Sequence, residues 1–375
     1  MDRVRTKRNF LLLAAGTFGM SFTFGVHLAI FSNFVVERIG IEPHQLGILE
    51  SIRETPGFFC IFIAGLTVAA AEPRLGGLAL LLYGLGLGSY AWIYTLMSLV
   101  IFSYISSIGL HIWIPLSSSM ALSLAEKKHR GRRLGQLRSV AGLAPIVGQG
   151  LARLIQSLGY SAMYWTAGAV GGIGGLAVLT MSKDVGHPTK ARFVLKRKYR
   201  YYYILAFLEG CRRQIFTTFA LFVLVKVYGV EVQHIILLNL VNSSLTFLLG
   251  ARGGKLIDRI GEYRILTCYY VGLILVFLGY GLVHRVPVLF GLYVVDNLLY
   301  LLGIALTTYL GKIADPEDVR QTLATGVTMD HIAAVIVPTA GGFLWITRGY
   351  ETVFFLAAGV ALVSLLVAQR LRKSG

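Results

Sequence analysis

Lys196-Arg197-Lys198-Tyr199-Arg200-Tyr201-Tyr202-Tyr203 marks the middle of this 375-residue chain. It closes a polar loop over 183–200, the longest break in an otherwise apolar sequence. Before it lie six apolar stretches, at 9–36, 45–71, 75–95, 97–125, 134–157 and 160–182. After it lie six more, at 201–226, 232–257, 264–283, 287–313, 321–346 and 351–369. Each is near the length of about 20 residues that an α-helix needs to cross a bilayer. The composition agrees: 55% of residues are hydrophobic and 14% charged, with a mean hydropathy of +0.69. A soluble domain carries roughly 25% charged residues. A soluble enzyme, a disordered chain and a nucleic-acid-binding module are therefore excluded, despite a net charge of +17.

Twelve transmembrane helices are expected rather than strands. A helix satisfies its own backbone groups in lipid, whereas a barrel strand would show about ten alternating residues. The chain thus divides into a bundle over 1–182, a basic linker over 183–200 and a bundle over 201–375. An uncleaved first helix fits the start better than a signal peptide, because the apolar run after Phe10 continues past Ile30.

The positive charge is a topological label. With an even number of spans, 26 of the 35 basic residues fall on the side of the termini and four on the other: Arg38, Lys226, Arg285 and Arg348. Basic residues accumulate on the cytoplasmic side, so both termini are expected there. The Lys196–Tyr203 run then reads as an interfacial anchor with a tyrosine belt, or as a contact for anionic lipid. Cys60, Cys211 and Cys268 lie inside spans at unrelated spacings and give neither a disulfide framework nor a metal motif.

The two halves repeat weakly at an offset of 189. Gly40-Ile41-Glu42 lies opposite Gly229-Val230-Glu231, Gly65 opposite Gly254, Ala125 opposite Ala314 and Leu134 opposite Leu323. A parallel repeat of six helices is a transporter architecture. The 8–9 loop reads Gly254-Lys-Leu-Ile-Asp258-Arg259-Ile-Gly261-Glu-Tyr-Arg264, which resembles the signature loop of the major facilitator superfamily. In the 2–3 loop Ala69 stands where the repeat would put the aspartate. Pro145-Ile-Val-Gly148 in span 5 is similar to a proline-glycine motif of the family's antiporters, and Pro338-Thr-Ala-Gly341 echoes it in span 11. The resemblance implies two pseudo-symmetric six-helix bundles working by alternating access. It also implies that Gly254, Asp258, Arg259, Gly261, Arg264, Pro145 and Pro338 govern the conformational switch. Helix packing alone is the other reading of the proline-glycine patterns.

Ionisable residues within spans are costly and usually face a bundle interior or an aqueous cavity. They comprise His27 in span 1, Glu50, Arg53 and Glu54 in span 2, His111 in span 4, and Arg138 and Arg153 in span 5. Span 7 adds Glu209, Arg212 and Arg213, span 10 Asp296, and span 11 Asp330 and His331. Spans 3, 6, 9 and 12 have none in their apolar runs. The family uses those four as peripheral supports. Glu50-Arg53-Glu54 and Glu209-Arg212-Arg213 share an i, i+3, i+4 spacing that sets each trio on one helix face.

Two readings remain. The trios lock helix packing as ion pairs, or they separate and re-pair during transport. On the second, Glu50, Glu54, Glu209, Asp296 and Asp330 are proton-carrier candidates, Glu54 and Glu209 first because each has an arginine within a turn. Substrate-binding candidates are His27, Arg53, His111, Arg212, Arg213, Asn297 and His331, arginine suiting carboxylate or phosphate. No catalytic constellation, nucleotide-binding loop, cofactor motif or metal cluster stands out. The expected partners are a small-molecule substrate, protons and the bilayer, with no nucleic acid and a monomeric chain. Proton-coupled efflux of an amphipathic or anionic organic molecule leads. Symport of an organic anion or metal chelate, and a non-transporting receptor or scaffold, are the alternatives.

Overall fold

The computed structural model describes residues 3–66, 71–125, 130–186 and 195–371. Within these, the side chains of 3, 59–66, 130–132, 250–255, 257–258, 316–317 and 320–321 lie outside the described residues. The first six helices are α1 (Arg3–Phe34), α2 (Pro43–Leu66), α3 (Glu72–Gly88), α4 (Leu96–Ser123), α5 (Arg130–Ile155) and α6 (Gly159–Leu179). The next are α7 (Arg200–Lys226), α8 (Val232–Ile260), α9 (Glu262–Leu282), α10 (Val286–Tyr300 and Ile304–Ile313), α11 (Pro316–Arg348) and α12 (Tyr350–Leu371). Each expected span has its helix. α1 runs on through a π-helical turn, Val35–Ile39, and α10 is interrupted by a 3-10 turn, Leu301–Gly303.

Nine helical stretches among the described residues are long and apolar enough to cross a membrane, one of them, Arg133–Leu179, covering both α5 and α6. α7 is outside the nine because Glu209, Arg212 and Arg213 interrupt it; α2 also has a second half whose side chains are not described. The chain is thus an all-α, multi-pass membrane protein.

The weak repeat reappears in the turns. Gly40 (φ +70°) and Gly229 (φ +63°) end the first helix of each half in the left-handed region. Gly159 (φ +84°) and Gly349 (φ +87°) do the same before the last helix of each half, each followed by tyrosine. Glycine enters that region without steric penalty, so equivalent glycines preserve equivalent turns.

The helices form two compact units. One comprises Met1–Gly40, Phe59–Ala191 and Glu231–Ser244; the other Ile41–Phe58, Arg192–Val230 and Leu245–Gly375. The boundaries cut through α2 and α8.

The first unit is packed through small residues. A Cβ on Gly168 of α6 would lie 2.6 Å from the Cα of Gly88 and 2.7 Å from the carbonyl oxygen of Gly84, both on α3. Helices without such side chains approach to backbone contact, the usual solution where lipid removes the hydrophobic drive for association. The fully buried Trp113 of α4 fills the neighbouring core with Leu13, Leu80, Met120 and Val178. The second unit is packed through rings instead. Phe216 stacks on Tyr293 at 5.5 Å, Tyr280 on Phe354 at 4.7 Å, and Trp345 lies edge-on to Phe222 at 5.4 Å. Rings spaced this way add about 0.5–1.5 kcal/mol per pair beyond their buried area.

Candidate functional site

Adjacent residues of α7 serve two separate ion clusters in the second unit. Successive helical residues are turned by about 100°. Arg212 therefore points toward α9 and α10, and Arg213 toward α11.

Arg212 is 1% exposed, the largest buried charge in the chain's described core. Its Nε donates to Glu209 Oε1 at 3.0 Å, and its Nη2 also bonds Glu209, the i, i+3 partner. Nη2 donates to the Tyr269 hydroxyl oxygen at 2.7 Å, and Nη1 lies 3.5 Å from Asp296 Oδ1. Tyr269 in turn donates to Glu209 Oε1 at 2.5 Å. The rings of Tyr269 and Tyr300 lie 5.5 and 5.7 Å from the guanidinium carbon, close enough for cation–π attraction. Glu209 Oε2 is buried without a hydrogen-bond partner among the described residues. One guanidinium thus answers two carboxylates.

Arg213 forms a two-point pair with Asp330 of α11, Nε to Oδ1 at 3.3 Å and Nη2 to Oδ2. This pair is 29% and 25% exposed, so it is wetted where Arg212 is not. On the next residue, His331 Nδ1 lies 3.4 Å from Glu54 Oε2. Asp330 and His331 therefore take different partners, as adjacent helical positions require. On α2, Arg53 pairs with Glu50, its i, i+3 neighbour.

Glu209, Arg212 and Asp296 thus come together, as do Arg213 with Asp330, Glu54 with His331, and Glu50 with Arg53. Asn297 is bonded within its own helix, and His27 and His111 belong to the other unit. His27 is buried among Phe31, Tyr90 and Tyr164, with its Nδ1 3.5 Å from the Tyr164 hydroxyl. His111 Nδ1 meets the Ser107 carbonyl one turn back at 2.9 Å. Asn297 donates to the Tyr293 carbonyl at 2.8 Å. Arg138 and Arg153 are exposed. Tyr269 and Tyr300 were not among the sequence candidates; an uncharged tyrosine in a span gives no sign that it solvates a buried charge.

Both proline positions sit against glycine. A Cβ on Gly25 of α1 would come within 2.5 Å of Pro145, and one on Gly47 of α2 within 2.1 Å of the Pro338 carbonyl oxygen. Thr339 closes the second contact by donating to Ser51 Oγ, both from its amide at 3.2 Å and its hydroxyl at 2.8 Å. In the 8–9 loop, the side chains of Gly254 and Asp258 lie outside the described residues. Arg259 and Arg264 are exposed, and Gly261 has φ +88°. The acid placed there by the structure is Glu262, bonded to Lys312 at 2.7 Å.

Twelve apolar helices, a repeated half and buried ion clusters on the spans define a membrane transporter. The chain belongs to the Major Facilitator Superfamily, whose family model matches residues 13–308 and 202–374. Solved structures share its fold. A variant of the nucleoside transporter NupG is 14% identical with a TM-score of 0.81, the alignment covering 97% of this chain and 99% of that one. A bacterial homologue of the human lysosomal transporter Spinster, inward-facing and unoccupied, is 12% identical at TM-score 0.79, covering 100% and 99%. The human organic anion transporter MFSD10 is 14% identical at TM-score 0.68, covering 98% and 100%. Comparison of the sequence with curated proteins finds no match.

Proposed function

We propose that this transporter is a proton-coupled antiporter that exports a small amphipathic or anionic organic molecule across the cell's inner membrane. It acts as a monomer with both termini in the cytoplasm. The observation that carries the coupling is the sharing of Arg212 between Glu209 and Asp296. With both acids ionised the cluster has an excess negative charge, and an uncompensated buried charge costs several kcal/mol. One proton removes the excess, and loss of that proton must be answered by a movement that brings in water or another cation.

Antiport requires that proton and substrate exclude each other. An ionised carboxylate accepts hydrogen bonds from the ammonium or hydroxyl groups of an amphipathic molecule, and a proton on it removes that acceptor. We assign this exchange to Glu54 and Asp330, which are part-exposed on α2 and α11. Arg213 and its two-point pair favour a second reading for an organic anion. A carboxylate or phosphate that takes Arg213 from Asp330 leaves an acid that gains by protonation, so proton and anion travel together, as in symport. The likeness of fold to an organic anion transporter is in keeping with that substrate class.

The sign of proton movement decides between them. A thermal-shift screen of organic amines, zwitterions and carboxylates supplies a ligand. That ligand is then added outside proteoliposomes holding an acid interior. Antiport makes the interior lose protons in exchange for ligand; symport makes protons and ligand leave or enter together. Glu209→Gln should abolish the proton movement while leaving ligand binding in place. Coupling that survives in Glu209→Gln and in Asp296→Asn would remove the shared-arginine cluster from the mechanism.

A further inference from the structure

At the entry to α7 the second unit holds a cavity of about 540 Å³, lined by Arg197, Lys198, Arg200 and Tyr201 together with Tyr309 and Ile313 of α10. We infer that this cavity binds the phosphate-bearing headgroup of an anionic phospholipid.

The segment that leads into it is held in place. Lys196 Nζ donates to both oxygens of Asp318 at 2.7 Å, and Lys198 bonds Asp315. The buried Tyr199 donates to Asp318 at 2.8 Å and accepts from the Asp315 amide at 3.2 Å. These contacts engage Asp315 and Asp318. Arg197, between the two anchored lysines, and Arg200 are exposed and make no ion pair with any described residue. Arg200 only donates to the Tyr201 hydroxyl at 3.3 Å and lies over its ring. Two guanidiniums on an anchored segment, without an ion-pair partner among the described residues, thus border one cavity, and guanidinium presents paired donors that match phosphate oxygens.

A third source of positive potential is the start of α7. Its N-cap, Tyr199, makes no side-chain cap, and the Arg200 amide is taken by the Arg197 carbonyl, so this 27-residue helix contributes its dipole. The positive end of that dipole favours a bound anion. The order of the spans sets the cavity at helix ends, where a membrane boundary falls. It sits where α7 begins and α10 ends, the same side as the end of α12, and tyrosines line it as they line bilayer interfaces. Ile313 offers an apolar wall on which the glycerol and first acyl carbons can rest. A soluble phosphate would use the arginines but not the position or the wall.

The test uses the full chain in nanodiscs of phosphatidylcholine, alone or mixed with phosphatidylglycerol, with bound lipid read by native mass spectrometry. Phosphatidylglycerol should be retained selectively. Arg197→Ala/Arg200→Ala should weaken retention by about thirtyfold, as expected for two interfacial charges. Arg197→Lys/Arg200→Lys, which keeps the charge and the fold, should recover most of it. Lys7→Ala/Arg74→Ala removes equal charge elsewhere on the same side and should retain the lipid. An equal loss in that control pair would reduce the effect to general surface attraction and overturn the site. No loss in Arg197→Ala/Arg200→Ala would overturn it as well. Inorganic phosphate at millimolar concentration should leave the bound lipid in place; displacement by it would assign the cavity to a soluble phosphate and overturn the lipid reading.

Discussion

Arg212 Nη1 and Asp296 Oδ1 lie 3.5 Å apart, on side chains 1% and 4% exposed, with Glu209 on the other edge of the same guanidinium. The arrangement makes the two ends of the contact unequal. Arg212→Leu strands the buried Asp296 and the part-buried Glu209 and should destabilise the protein by about 3–5 kcal/mol, the cost of breaking a buried pair from one side. Asp296→Asn leaves Arg212 with Glu209 and Tyr269 and should cost roughly 1–2 kcal/mol. Thermal melting in detergent micelles measures both. Equal losses would mean that the arginine is not shared.

The Arg213–Asp330 pair should behave differently, because water reaches it. Asp330→Asn should change stability by only roughly 1 kcal/mol, in the range of solvent-accessible pairs. Its effect should appear in transport, as a raised KM for the ligand found by thermal shift. The exchange Arg213→Asp with Asp330→Arg should restore part of the affinity if the pair only sets geometry, and none if ligand contacts Arg213 directly. A large melting loss in Asp330→Asn, with KM unchanged, would make the pair a packing element.

How much of this was legible in sequence follows from the range of each interaction. Hydropathy is a local sum over about 20 residues, so all twelve helices could be read. The i, i+3 spacing is also local, and it anticipated that Glu209 would meet Arg212 and that Glu50 would meet Arg53. It did not anticipate that Arg213 would turn to Asp330, because adjacent residues face different neighbours and the choice depends on packing. Tyr269 was invisible for another reason. It lies on α9, a helix without charges in its apolar run, and only the folded structure brings it to Arg212. The same holds for Lys196 and Asp318, 122 residues apart. The turn glycines Gly159 and Gly349, each followed by tyrosine, also mark the repeat in the sequence, at an offset of 190.

The contact of α2 with α11 is steric and can be tested by adding single methyl groups. A Cβ at Gly47 would fall 2.1 Å from the Pro338 carbonyl oxygen, and one at Gly342 2.5 Å from that of Pro43. Neither backbone can yield as a side-chain tip would, so the helices must separate. Gly47→Ala and Gly342→Ala should each lower stability by about 1–3 kcal/mol, the usual cost of overpacking. Gly291 on α10 has open space around its Cα. Gly291→Ala should gain roughly 0.5–1 kcal/mol from the helix preference of alanine. Melting temperatures that fall for all three would point to a general intolerance of substitution instead of a close contact.

The anchored linker should open in acid and hold at neutral pH. Asp318 is held below the usual carboxylate range, first by its hydrogen bond from Lys196 and then by that from Tyr199. Its side chain is 6% exposed, which keeps those donors close. Lys196 is raised above the ordinary ammonium range by the same bond, and Lys198 is raised chiefly by its bond to Asp315. For an acid whose folded value is lowered, the stabilisation is complete above its unfolded value and disappears as pH falls through the folded one. For the raised lysines it is complete below their unfolded values and fades only as pH climbs through the folded ones. The contact is therefore intact across neutral pH and fails at the acid end, where Asp318 takes up a proton. Hydrogen exchange of the amides around 195–202, expressed as protection factors, should show protection at pH 7 that falls away below the ordinary carboxylate range. In Asp318→Asn the protection should already be low at pH 7 and should no longer change with acid. A wild-type segment equally protected at both pH values would show that Asp318 does not hold it.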